Sequence, residues 1–282
     1  MIPHRKRVQA LLTKRGRKEQ QRFLVEGVRL VEEALAANLA VEWLYHLPAL
    51  PETRLAAVLE MARGRGVHLA EVTPDELLSL SDTETPQGVV GVAEIPRWSE
   101  EDLRSRTGGD VLVLDMVRDP GNLGTLLRTA EAAGARSVLM THGCVEATNP
   151  KVVRSAMGAF FRIPCRTIRS PDEVAERCRG AGLPLVLTTA HGGEPASHLL
   201  RYGSVALVLG GEAEGVGPVW EPYADAVVRL PMSATTESLN VAVAGGIFLF
   251  RHIWQPDAGP SGALHTERDS AASGTISPPP RE

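Results

Sequence analysis

A two-domain α/β fold is predicted by three features of the chain. Short apolar runs of strand length alternate with segments whose apolar residues recur at helical spacing. The alternation is interrupted once, by a polar stretch ending in a glycine pair at 96–109. The 282 residues, 43% of them hydrophobic, suit two domains, each with its own core. The first domain is expected over 1–95 as a small α/β sandwich, and the second over 110–255.

In the first domain Arg5 to Lys14 reads as a helix, and Phe23-Leu-Val as a short strand. Leu30, Val31, Ala34 and Leu35 give Val28 to Ala37 a helical period. A strand over Val41 to Tyr45 follows, then a helix over Glu52 to Arg63 and a strand over Val67 to Val72. Pro74 opens a helix through Leu80, since proline suits a first helical position. Gly88 to Glu94 is the last strand. Residues 96–109 are expected as an interdomain linker, and after them the pattern restarts with Val111-Leu-Val-Leu, ending at Asp115. A helix runs from Leu123 to Ala133 and stops at Gly134. Ser137 to Met140, Leu185 to Thr189, Val205 to Leu209 and Ala226 to Leu230 are strands, with helices near 150–158 and 171–180. Fully apolar strands interleaved with helices imply a parallel sheet covered on both faces. Leu239 to Phe250 closes the domain as a buried helix. Residues 256–282 hold five Pro, three Gly and four Ser, and read as a disordered tail.

Composition excludes several classes. The longest apolar run, Val241 to Phe250, is ten residues, half of the roughly 20 that span a membrane. The first residues, Met1-Ile-Pro-His-Arg-Lys-Arg, contain no apolar signal region. Cys144, Cys165 and Cys178 form no CxxC, so neither a disulfide framework nor a cysteine zinc site is expected. A cytoplasmic protein without membrane or metal is the expectation. Net charge is −4, yet residues 1–22 carry Arg5, Lys6, Arg7, Lys14, Arg15, Arg17, Lys18 and Arg22 against Glu19 alone. A basic end on an acidic protein suits a polyanion, and the alternative is a solvated helix face. Aromatic residues are 4% of the chain, which argues against single-stranded nucleic acid held mainly on aromatic platforms.

Four polar or glycine-rich clusters stand out, three of them just after predicted strands, where open parallel sheets bind ligands. They are Asp119-Pro-Gly-Asn122-Leu-Gly-Thr-Leu-Leu-Arg128, Lys151-Val-Val-Arg154-Ser155-Ala-Met-Gly158, Gly210-Gly211-Glu212-Ala-Glu214-Gly215-Val-Gly217, and Leu230-Pro231-Met232 running on to Glu237-Ser238-Leu239-Asn240. Each alone has a structural explanation; Pro-Gly-Asn, for example, is a good turn and helix cap. Neither GxGxxG nor GxxxxGK[ST] occurs, so a dinucleotide oxidoreductase and a P-loop enzyme are disfavoured. Asn240 opens an almost wholly apolar helix, where a polar group without a partner costs about 1–3 kcal/mol.

Three stretches, NLGTLLRTAEAAG, LVLGGEAEGVG and LPMSATTESLNVAVAGGI, resemble the three sequence motifs of the SpoU/TrmH family of RNA ribose 2′-O-methyltransferases, within the SPOUT superfamily. The resemblance covers about 110–252. Residues 1–95 look like the family's RNA substrate-binding domain, through Phe23-Leu-Val-Glu26-Gly27 and the following helix. It implies a SPOUT α/β domain tied in a deep trefoil knot, a homodimer with its site completed at the interface, and S-adenosylmethionine as cofactor. It assigns Asn122, Arg128, Glu212, Ser238 and Asn240 to the catalytic machinery. Cofactor contacts fall to Thr189, Ala190, Leu209, Gly210, Gly211, Leu230, Pro231, Met232, Ser238 and Leu239, with no metal. The implied reaction is methylation of a ribose 2′-hydroxyl of RNA, with ribosomal RNA of the large subunit favoured by the sizeable first domain. The alternatives are a tRNA 2′-O-methyltransferase and a non-catalytic RNA-binding protein of the same fold. The resemblance makes Arg128 a proton acceptor; because arginine's pKa exceeds about 12, a bidentate phosphate clamp is the second reading.

Overall fold

The computed structural model describes residues 2–50, 52–105, 108–212, 214–233 and 235–251; the tail expected over 256–282 lies outside them. In chain order the first domain contains α1 (Arg5–Ala10), α2 (Lys14–Gln20), β1 (Arg22–Glu26), α3 (Val28–Ala36), β2 (Val41–His46), α4 (Arg54–Gly64), β3 (His68–Glu71), α5 (Pro74–Leu78) and β4 (Val89–Glu94). The single helix expected over 5–14 is instead the first of two. Thr13 caps the second by accepting from the Gly16 amide. A Cβ at Gly16 would sit 2.0 Å from the Ala10 carbonyl oxygen, so only glycine lets α2 fold back so closely on α1. The sheet order is β1-β4-β2-β3, antiparallel except for the parallel β2–β3 pair.

The second domain contains α6 (Glu100–Ser105), β5 (Val111–Asp115), α7 (Pro120–Ala132), β6 (Ser137–Thr141), α8 (Pro150–Ala156), β7 (Cys165–Ile168), α9 (Pro171–Gly180), β8 (Leu185–Thr189), β9 (Glu194–Pro195), β10 (Ala206–Gly210), β11 (Ala226–Arg229) and α10 (Val241–Leu249). Its seven strands pair in parallel in the order β7-β6-β5-β10-β8-β11-β9. Alternate residues of the central strands supply two cores, as a period of two requires. Leu112, Leu114, Leu207 and Leu209 face α7, α8 and α10, while Val111, Val113, Ala206 and Val208 face α9 and Trp220. Helix α7 begins at Pro120, three residues before the expected start, because Asp119 caps it by accepting from the Asn122 amide. Asn122 therefore projects from a first helical turn, not from a free loop.

Within the stretch 96–109, α6 buries Leu103 in the second core, and Glu100 takes ion pairs from Arg166 and Arg177. These contacts draw Glu100 down to a pKa of about 2, first through the Arg177 hydrogen bond and then through Arg166. The two domains share a continuous core. Phe23 meets Phe160 edge-on at 5.5 Å. Arg17 spans the boundary to Glu146 at 2.7 Å, Arg154 to Asp82 at 2.9 Å, and Arg162 to Glu33. Among the described residues no helix is long and apolar enough to cross a membrane.

Candidate active site

Strand β5 pairs with β10 at the point where the sheet's direction of growth reverses. Ligands of open α/β sheets bind at such a point, beyond the strand carboxyl ends. Here Asp115 ends β5 opposite Gly210, its register partner on β10. The Asp115 carbonyl accepts from the Gly211 amide at 2.7 Å, and its carboxylate from the Gly217 amide at 3.2 Å. One buried aspartate thus draws the 211–217 loop onto the end of the sheet. The fit leaves no room for side chains: a Cβ at Gly210 would lie 1.8 Å from the Gly215 carbonyl carbon, and one at Gly211 2.3 Å from the Met116 oxygen. Asp115 escaped the sequence assignment; the available signal was that it is the acid closing an apolar strand.

A cavity of about 810 Å³ opens over the ends of β8, β10 and β11. Thr189 and Ala190, Leu209 to Gly211, Leu230, Met232, Ser238 and Leu239 all line it; Pro231 and Arg128 do not. Its apolar walls, from Leu187, Leu209, Leu239 and Phe248 among others, form a slot suited to a flat ring. Its charge comes from Glu212, Glu214, Glu221 and Glu237, with no lysine or arginine among the described lining residues. Such a donor set repels phosphate and favours a cationic group, so it fits the sulfonium and ammonium of S-adenosylmethionine.

At the mouth, three separate motifs meet through side-chain amides. Asn240 caps α10, accepting from the Ala242 and Val243 amides. Its Nδ2 donates to Asn122 Oδ1 at 3.0 Å, and Asn122 Nδ2 donates to Glu212 Oε1 at 2.5 Å. The polar residue at the start of an apolar helix is thereby satisfied. Arg128 stands six residues along α7 from Asn122, about 9 Å of helix. It is exposed and has no hydrogen bond or ion pair among the described residues. On α10, which packs against α7, Val243 and Ile247, four residues apart on one face, are 53% and 48% exposed, and Leu239 just before the helix is 40% exposed. Among the described residues no group of three or more His, Cys, Asp or Glu side chains could hold a metal ion.

Residues 110–250 match the SpoU rRNA Methylase family, and residues 3–91 match the MRM3-like substrate binding domain. The chain belongs to the SpoU rRNA methylase family. It is 36% identical over 240 residues to the 23S rRNA (guanosine(2553)-2′-O)-methyltransferase RlmP of Bacillus subtilis, covering 85% of this chain and 92% of that one. Among solved structures it resembles the SpoU methyltransferase AviRb from Streptomyces viridochromogenes in complex with AdoMet. That likeness has a TM-score of 0.81 at 29% identity, over 92% of this chain and 100% of the other. An AdoMet-bound rRNA methyltransferase from Sinorhizobium meliloti gives 0.77 at 33% identity, over 90% and 96%. In this SpoU protein, the segment from Arg154 to Arg162, which begins within the Lys151 to Gly158 cluster, forms much of the seam with the first domain. Gly158 packs beside Glu33 there, and Phe160 beside Phe23.

Proposed function

We propose that this protein transfers a methyl group from S-adenosylmethionine to a ribose 2′-hydroxyl of ribosomal RNA, with the large subunit as the favoured source. The observation that carries this reading is the Glu212–Asn122–Asn240 chain at the mouth of an acidic, apolar-walled cavity. It holds three motif loops in one arrangement around the place for the cofactor. Bound S-adenosylmethionine would supply an electrophilic methyl group. The backbone groups of Leu209 to Gly211 and Leu230 to Met232 would hold the adenine end, and Ser238 and Leu239 the opposite wall.

Arg128 is assigned to the RNA. An exposed, unpaired guanidinium suits a phosphate or a ribose hydroxyl. Since it does not line the cavity of its own chain, a second copy would bring it there. Leu239, Val243 and Ile247 offer the apolar face for that homodimer. The close approach of the 210–217 loop to Met116, with α10 returning against α7, suits the trefoil knot that the family resemblance implies. We place the protein in the reducing cytoplasm without a metal cofactor. Its three free thiols accord with that compartment, and burial pushes that of Cys178 up to about 11. Residues 1–95 serve as the RNA-binding domain.

The reading is tested by incubating the protein and radiolabelled S-adenosylmethionine with a 23S rRNA transcript in EDTA. Label recovered in a 2′-O-methylated nucleoside is expected. Label in a base, or none in RNA from a folded protein that binds the cofactor, would overturn it.

A further inference from the structure

We propose that the first domain holds a second RNA subsite, a cleft that receives one unstacked nucleobase against Trp43 and His68 while Arg7 meets the adjoining phosphate. The proposal rests on the reading of the protein as an RNA methyltransferase, and adds where the substrate is gripped far from the methyl donor.

The cleft measures about 480 Å³ and lies between α1 and the sheet at the β2–β3 edge. Successive residues of a regular strand face opposite ways. Val41, Glu42 and Trp43 nevertheless all line this cleft. The cause is an irregularity in the ladder: Val41 pairs with Ala93, and Trp43 with the very next residue back, Val92. The extra residue is a bulge, a device that re-aims side chains.

The bulge gathers rings. Trp43 and His68 are register partners, with centroids 4.8 Å apart and planes tilted by 31°. Tyr45 stacks behind Trp43 at 5.9 Å, fully buried, and its hydroxyl donates to the Pro3 carbonyl at 2.9 Å. That bond pins the segment carrying His4, whose ring meets Trp43 edge-on at 5.4 Å. His4 occupies the N-cap of α1 in the left-handed region, φ 56°, yet its side chain makes no capping hydrogen bond. A non-glycine residue in that conformation is strained, and such strain gathers at ligand sites. The exposed His68 and His4 rings edge the opening, and Trp43 forms its half-buried floor.

Charge sets the orientation of the guest. Arg22 is engaged by Glu42 at 2.7 Å and Glu94 at 2.8 Å. Arg7 lines the cleft and is exposed, and its guanidinium, though within electrostatic reach of Glu42, makes no side-chain hydrogen bond or ion pair among the described residues. Gln20 fixes its position by donating to the Arg7 carbonyl at 2.8 Å. The Glu42 carboxylate inside the cleft repels a phosphate but accepts from a base N–H. The base therefore enters and the phosphate stays at the rim on Arg7. Every base has a π-face, so the site grips single-stranded RNA with little regard to sequence.

The test compares binding of the full chain to a fluorescent single-stranded RNA decamer and to an abasic decamer of the same length. Wild-type protein should bind the base-bearing strand about tenfold more tightly. His68→Ala and Trp43→Leu should erase that preference and leave the slope of log K against log salt unchanged. Arg7→Gln should keep the preference and lower the slope by about 0.7. Trp43 supports the sheet, so if its variant does not fold, His68→Ala at the exposed strand end carries the test. Equal binding of the two strands, binding of neither, or full base preference in folded His68→Ala would overturn the proposal. Methyl transfer to the 23S rRNA transcript is measured alongside. His68-dependent base preference without transfer would keep the cleft and sink the enzymatic reading; transfer without base preference would sink the cleft alone.

Discussion

Replacing Arg251 with methionine should unfasten the helix that backs the cofactor cavity. The Arg251 guanidinium is buried and bonds both carboxylate oxygens of Asp110, with Nη2 to Oδ1 at 2.8 Å. It also reaches the Phe248 carbonyl at 3.3 Å and the Gly203 carbonyl at 3.4 Å. Asp110 in turn accepts from the Val205 amide at 2.9 Å. The pair thus clips the end of α10 to the entrances of β5 and β10. Methionine would leave a buried carboxylate with a single N–H partner. Breaking a buried pair in this way costs about 3–5 kcal/mol, a large share of a typical stability of about 5–15 kcal/mol. At about 2–4 °C per kcal/mol for a chain of this order, Tm should fall by about 6–20 °C. Because Val241, Ala244 and Phe248 of α10 line the cavity, calorimetry should also show weaker S-adenosylmethionine binding. Adding Asp110→Asn should recover about half the loss, since a neutral amide keeps the Val205 bond without a stranded charge. A fall below about 2 °C for Arg251→Met would refute the clip.

Arg128→Ala should reduce methyl transfer at least about a hundredfold while S-adenosylmethionine affinity, read by calorimetry, stays within about twofold; near wild-type transfer would make the residue structural. In Arg128→Lys, partial rescue that grows with pH supports proton acceptance, and failure at every pH supports a bidentate clamp. Reversing Lys6, Lys14 and Lys18 to Glu should weaken rRNA binding and flatten its salt dependence without touching cofactor affinity; an unaltered slope would mark a merely solvated face. Glu100 titrates at about 2 in the folded chain against about 4.3 in an unfolded one. A lowered carboxylate pKa stabilises fully above the unfolded value, and that contribution fades as pH falls through about 2. Amide-exchange protection in α6, taken relative to the intrinsic exchange rate at each pH, should therefore fall from pH 5 towards 2 in wild-type protein and lose that dependence in Glu100→Gln; identical profiles would contradict the pairing.

The sheet was legible because burial on both faces imprints continuous apolar runs such as Val111 to Leu114. Strand β7 was not, because Cys165-Arg-Thr-Ile lies at an edge and mixes polar with apolar residues. No local signal places β10 between β5 and β8; strand order arises from long-range pairing. The polar residues at the site were visible beside apolar elements, but that Asn122 joins Glu212 to Asn240 depends on contacts 90 and 118 residues apart. Charge counting treated the amino-terminal cations alike. Arg17 is in fact buried on the Leu11 and Leu12 carbonyls and Glu146, and Arg22 is taken by two glutamates. Arg5, Lys6, Arg7, Lys14 and Lys18 remain exposed. Aromatic content likewise averages over the chain, and an average hides rings gathered at one bulge.

The most direct measurement is a nucleotide-resolution map of 2′-O-methyl groups on 23S rRNA from cells with the gene, without it, and complemented with either wild-type or Arg128→Ala protein. A mark should vanish on deletion, return with the wild-type protein and stay absent with Arg128→Ala. An rRNA methylation map identical in all four strains would contradict the assignment of this chain as an rRNA 2′-O-methyltransferase.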